Sequence, residues 1–82
     1  MAQIYKNGQA VGGVRFYKDA QGLLRGVVRD AAGKIQLTIF QEEDLQTEQR
    51  SWAVSTPGPE HRIVGRGTTR KNAVLAAGYE LR

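Results

Sequence analysis

The chain has 82 residues, with 12 lysines and arginines against 8 aspartates and glutamates, a net charge of +4, and no cysteine. That length suits a single small domain, 1–82, and the missing cysteine excludes a disulfide framework, a zinc–thiolate centre and a thiol nucleophile. No apolar run approaches the roughly 18 residues of a membrane span and no signal-peptide core opens the chain, so a cytoplasmic protein without a membrane partner is expected.

In chain order, Asn7-Gly8 is a hairpin signal, and Ile4–Val11 should form a small hairpin or an edge strand. Gly12-Gly13 then marks a bend or bulge. Two similar turn signals follow, Asp19-Ala20-Gln21-Gly22 and Asp30-Ala31-Ala32-Gly33, with Asp first and Gly fourth as a type I turn prefers. The segments 14–18, 23–29 and 34–40 around them alternate with period two, which reads as a three-stranded antiparallel meander. Residues 41–50 lack that alternation and are expected to form a short acidic turn of helix. Trp52-Ala53-Val54 reads as a fourth strand, ended at Thr56-Pro57-Gly58-Pro59 because proline cannot donate to a ladder. His61–Gly65 is a candidate last strand. Thr68 or Thr69 can then cap a C-terminal helix whose stripe is Val74, Ala77, Gly78 and Leu81.

The fold expected is therefore α+β: an antiparallel sheet of three to five strands, a β-meander, with one C-terminal helix packed on one face. Its buried face would hold Val14, Phe16, Leu24, Val28, Ile35, Leu37 and Ile39. The other face would display Arg15, Tyr17, Arg25, Arg29, Gln36 and Thr38. Arginine's planar fork suits phosphates and guanine edges, which makes that face a candidate nucleic-acid surface.

Charge is unevenly spread. Residues 1–40 hold six basic and two acidic side chains, 41–50 hold four acidic and one basic, and 51–82 hold five basic and two acidic. Arg66, Arg70 and Lys71 cluster where the C-terminal helix begins, and basic groups there oppose the helix dipole unless an anion such as phosphate is bound. Gly65-Arg66-Gly67-Thr68-Thr69-Arg70-Lys71-Asn72-Ala73, running on to Ala76-Ala77, resembles the last strand-to-helix junction of double-stranded-RNA-binding domains. Gly58-Pro59-Glu60-His61 resembles that family's Gly-Pro-x-His loop. The resemblance covers about a quarter of the chain and implies phosphate contacts from Arg66, Arg70 and Lys71. It departs from the family in leaving only three residues between His61 and Gly65. In architecture, three strands and a terminal helix resemble the arm-site-binding domains of phage integrases, which implies that the exposed sheet face enters a DNA groove.

Catalysis is not expected. His61 is the only histidine, Glu42-Glu43-Asp44 reads as a solvated run, and no metal-ligand spacing appears, so neither cofactor nor metal is expected. Two function classes remain. One is a nucleic-acid-binding domain acting on DNA or RNA duplexes. The other is a protein-interaction module, such as a phage- or mobile-element-encoded regulator or inhibitor of a host protein, using the acidic stretch Glu42–Glu48, a patch around Trp52 and Phe40, or a sheet edge that could also form a homodimer.

Overall fold

The repeated aspartates set the turns of the sheet. In the computed structural model, which describes residues 2–58 and 62–82, Asp19 Oδ1 accepts from the amides of Gln21 (2.9 Å) and Leu23 (3.0 Å). Asp30 Oδ1 accepts in the same way from Ala32 (2.9 Å) and Lys34 (3.0 Å). Gly22 and Gly33 close the two turns at φ +80° and +82°, a left-handed conformation that glycine adopts without steric cost. Asp44 repeats the device in a third hairpin: its Oδ1 accepts from Gln46 (2.8 Å) and its carbonyl from the amide of Glu48 (2.7 Å). The acidic turn of helix expected over 41–50 is thus corrected. Residues up to Glu43 continue a strand, and the remainder is a hairpin connection back to Arg50.

The elements are β1 (Ala2–Lys6), β2 (Gln9–Lys18), β3 (Leu24–Arg29), β4 (Ile35–Glu43), β5 (Arg50–Ser55), β6 (Ile63–Gly67), α1 (Arg70–Ala76) and β7 (Glu80–Leu81). They form one antiparallel sheet in the order β6-β5-β4-β3-β2-β1-β7. The expectation of three to five strands is therefore overturned: seven strands form a single curled half-barrel with one short helix. The edge strands β6 and β7 flank α1 in sequence, and α1 packs on β5, β6 and β7 across the hollow of the curl.

The helix is shorter than its apolar stripe suggested. Thr69 Oγ1 caps it by accepting from the Asn72 amide at 3.1 Å. Gly78, at φ +87°, ends it: the Gly78 amide donates to Leu75 O and the Tyr79 amide to Val74 O, both at 3.0 Å, which is a Schellman closure. Leu81 then lies in β7 opposite Ile4, while Gln3 and Arg82 exchange two main-chain bonds of 2.9 Å. Gly78→Ala should lower stability by about 1 kcal/mol, because a Cβ is disfavoured at positive φ, and thermal unfolding would register it.

The core is the concave side. Ile4, Val14, Val28, Leu37, Ile39, Val54, Ala73 and Val74 are at most 2 % exposed. Phe16 and Trp52 pack edge to face with centroids 5.9 Å apart. Gly26 makes room for Val14 and Phe16, since a Cβ there would stand 2.6 Å from Val14 Cγ2 and 2.9 Å from the Phe16 ring. Ile35 departs from its expected place. A bulge at Gln36, between Ile35 and Leu37, pairs Ile35 with Arg29, which leaves it half-buried outside the core, and Gln36 donates to Asp30 Oδ2 (2.8 Å) rather than standing free on the outer face.

The Asp30 carboxyl titrates below the ordinary aspartate range, chiefly through the Lys34 amide and then the Gln36 side chain, which both bond the ionised form. A folded-state value below the unfolded one stabilises the fold above the unfolded pKa and is lost as pH falls through the folded pKa. Asp30→Asn keeps an oxygen acceptor but cannot titrate, so its acid unfolding should lack this component; comparing the acid limbs of the two unfolding curves checks it.

Candidate functional site

Strand alternation sends every second residue to the convex side, away from α1 and the core. Between the core-facing Val14, Phe16, Gly26 and Val28, this places Arg15, Tyr17, Arg25, Val27 and Arg29 on one outer face. Register then extends the face in rows. Tyr17 pairs with Arg25, Arg25 with Phe40, Phe40 with Ala53 and Ala53 with Arg66. Beside that row run Arg15, Val27, Thr38, Ser55 and Ile63. Arg15, Tyr17, Arg25, Arg29 and Arg66 therefore share one surface spanning β2 to β6.

Each arginine is held differently. Arg25 lies over the Phe40 ring at 5.6 Å, and Arg29 Nη1 donates to Gly33 O at 3.2 Å. Arg66 is 3.6 Å from Glu42 Oε1, an exposed pair of small energetic consequence. Among the described residues Arg15, Arg25 and Arg29 have no carboxylate partner. Their positive charge is therefore uncompensated locally, and clustered like charges favour a bound polyanion.

The face is dimpled. Gly13, Arg15, Tyr17, Val27 and Arg29 line one recess of about 490 Å³. Arg25, Thr38, Phe40, Ser55 and Ile63 line a second of about 370 Å³. The second exists because β6 bulges against the Val54–Ser55 step: Gly65 opposes Val54 and Ile63 opposes Ser55, so Val64 packs on the core and Ile63 turns outward. Ser55 and Ile63 were not singled out as ligand residues, and Phe40 was named only for a protein-contact patch with Trp52. For Ser55 a signal was present, since alternation from Trp52 and Val54 puts Ala53 and Ser55 outward.

Of the helix-start residues, only Arg70 meets an outer-face arginine, in a recess of about 680 Å³ that it lines with Arg15, Phe16 and Arg82. Arg70 lies over the Phe16 ring at 4.4 Å and the Trp52 ring at 5.5 Å, capping the concave core. Lys71 is exposed on the same helix of about two turns, whereas Arg66 faces the opposite side of the sheet. The structure thus separates the trio Arg66, Arg70 and Lys71. Arg70→Ala should cost about 1 kcal/mol through the lost cation–ring contacts while leaving the outer face intact; chemical denaturation beside a binding titration separates the two effects.

The glycines of Gly65-Arg66-Gly67 have a packing role. A Cβ on Gly65 would stand 2.6 Å from Ala73 O and from Ala77 N, and one on Gly67 would stand 2.6 Å from Ala73 N. They let the backbone of α1 lie directly on β6. Trp52, only 8 % exposed, belongs to the core, so the surface patch expected around Trp52 and Phe40 does not form. Pro59, Glu60 and His61 of the Gly-Pro-x-His stretch lie outside the described residues.

No family model, curated protein or solved structure matches the chain. Among the described residues no cluster of His, Asp or Glu could hold a metal ion, and no helix is long and apolar enough to cross a membrane.

Proposed function

We propose that the chain is a small nucleic-acid-binding domain whose ligand lies across the outer face of the sheet. The observation that carries this reading is the gathering of Arg15, Arg25 and Arg29, with no carboxylate partner among the described residues, on a face that also presents Tyr17 and Phe40. Guanidinium groups bind phosphate oxygens bidentately, and aromatic rings offer bases a stacking surface. Arg66, drawn toward Glu42, supplies a further contact at the β6 end. Anisotropy titrations with labelled DNA and RNA at two salt concentrations test the reading. Binding that weakens steeply with salt and is indifferent to Lys71→Ala supports it; wild-type protein that binds neither nucleic acid at low salt refutes it.

A second reading, a protein-interaction module, is favoured by one feature. Leu45 is 89 % exposed at the tip of the acidic β4–β5 hairpin, beside Asp44 and close to Glu43 and Glu48. A basic partner with an apolar notch would fit that tip, and Leu45→Asp would abolish such a contact while leaving nucleic-acid binding unaltered.

A further inference from the structure

We infer that the recess between β3 and β6 is a seat for one unstacked nucleobase, so that the partner of the outer face is single-stranded nucleic acid rather than a closed duplex. The inference rests on the nucleic-acid reading above and adds strandedness and a specific subsite to it.

The recess has the parts a base requires. Phe40 supplies an aromatic wall, and Ile63, turned outward by the β6 bulge, faces it across the row of Thr38 and Ser55. Thr38 and Ser55 are direct cross-strand partners, and both line the recess. Ser55, although only 5 % exposed as a residue, lines the recess, and among the described residues no side-chain polar atom is sealed from solvent without a partner. A hydroxyl that lines a recess can both donate and accept, and a base edge carries donors and acceptors to match it. Arg25, laid over the Phe40 ring, is placed for the phosphate of the same nucleotide.

The volume agrees. About 370 Å³ exceeds what a single water-bridged contact needs and lies at the small end of ligand pockets, suited to a base with part of its sugar. A base paired and stacked within a duplex cannot enter such a recess without being unstacked, which costs a few kcal/mol. A single strand exposes its bases already. The neighbouring recess, with Tyr17 as its aromatic and Arg15 and Arg29 at its rim, lies two strands away, roughly 10 Å at ordinary strand spacing. One strand crossing the sheet from β2 toward β6 could therefore pass both aromatic groups.

The test compares an oligodeoxythymidylate single strand with a duplex of equal length, against wild type, Phe40→Leu, Ser55→Val and the Arg15→Ala/Arg25→Ala/Arg29→Ala variant. Phe40→Leu keeps an apolar side chain on the strand but removes the ring, and Ser55→Val fills the floor with a residue that strands favour. The expected result is tighter binding of the single strand by wild type, with each single substitution weakening it roughly ten-fold and leaving duplex binding unchanged. If the arginine variant loses binding but Phe40→Leu and Ser55→Val do not, the base seat is wrong and the face reading stands. Equal wild-type affinity for duplex and single strand likewise overturns the base seat. Absence of binding to either by wild type at low salt overturns both. Circular dichroism accompanies each variant, so that the one retaining the fold decides.

Discussion

Gly65→Val is expected to be the most destabilising single substitution in the chain. The new Cβ alone would sit 2.6 Å from Ala73 O and Ala77 N and 2.9 Å from Ala77 Cα, and these are backbone atoms of a helix and its cap that cannot swing aside. Relief requires α1 to lift from β6. Ala73 and Val74, both fully buried, would then lose their cover, and the Thr69 cap and Gly78 closure that join the helix to the sheet would move with them. Overpacking of a tight site costs about 1–3 kcal/mol where side chains can yield, and a backbone clash leaves less room for relaxation. We expect a loss of about 3 kcal/mol or more, comparable to the roughly 3–5 kcal/mol that the core of a domain this small supplies, and therefore a much lowered melting temperature on thermal scanning. Gly65→Ala should be milder but of the same sign. A Gly65→Val protein that melts like wild type would mean that the helix does not rest on β6.

The second large effect concerns function. The combined Arg15→Ala/Arg25→Ala/Arg29→Ala substitution should remove most nucleic-acid affinity while sparing the fold. All three side chains are exposed, and none contributes to the concave core. If each neutralises one phosphate, the slope of log K against log salt should fall by about 2 for a single strand. Loss of affinity at low salt should reach about a hundred-fold or more, since charge-assisted hydrogen bonds contribute about 1.5–3 kcal/mol each. Arg25 also covers Phe40, so its removal should be felt in the neighbouring recess. Denaturant midpoints close to wild type would show that binding, not folding, was lost.

The parts of the molecule legible in the sequence were those governed by local chemistry. Asp at the first and Gly at the fourth turn position specified two hairpins, and alternation around them separated Val14, Val28, Leu37 and Ile39 from Arg15, Tyr17, Arg25 and Arg29. The third hairpin carried the same Asp signal at Asp44. Its loop is longer and lacks the closing glycine, with Glu48 taking the left-handed position, so the turn was hidden inside an acidic run. β7 was illegible for a different reason. Glu80 and Leu81 form a strand only because β1 offers them a partner, and Leu81 also continues the spacing of Val74 and Gly78, which mimics a longer helix.

The candidate site was half legible. Arginines on one face follow from period two alone. The distance between Arg66 and Arg70 does not, because a strand end and a helix start four residues apart can face opposite sides of a sheet. The recess at Phe40 depends on a bulge that turns Ile63 outward, and one extra residue in a strand leaves no mark in composition or spacing. The glycines at 65 and 67 entered the reading only through the resemblance to a double-stranded-RNA-binding junction. Their neighbours in space, Ala73 and Ala77, show that closeness of helix to sheet is reason enough for them.

The most direct test of the outer face as the ligand surface is a two-dimensional amide NMR titration with a single-stranded oligonucleotide at low salt. Shifts concentrated at Arg15, Tyr17, Arg25, Val27, Arg29, Thr38, Phe40 and Ser55, with Asn72–Leu75 of the helix unmoved, are the result expected. Shifts confined to the helix and the concave rim around Arg70, with β2–β4 unchanged, would contradict it.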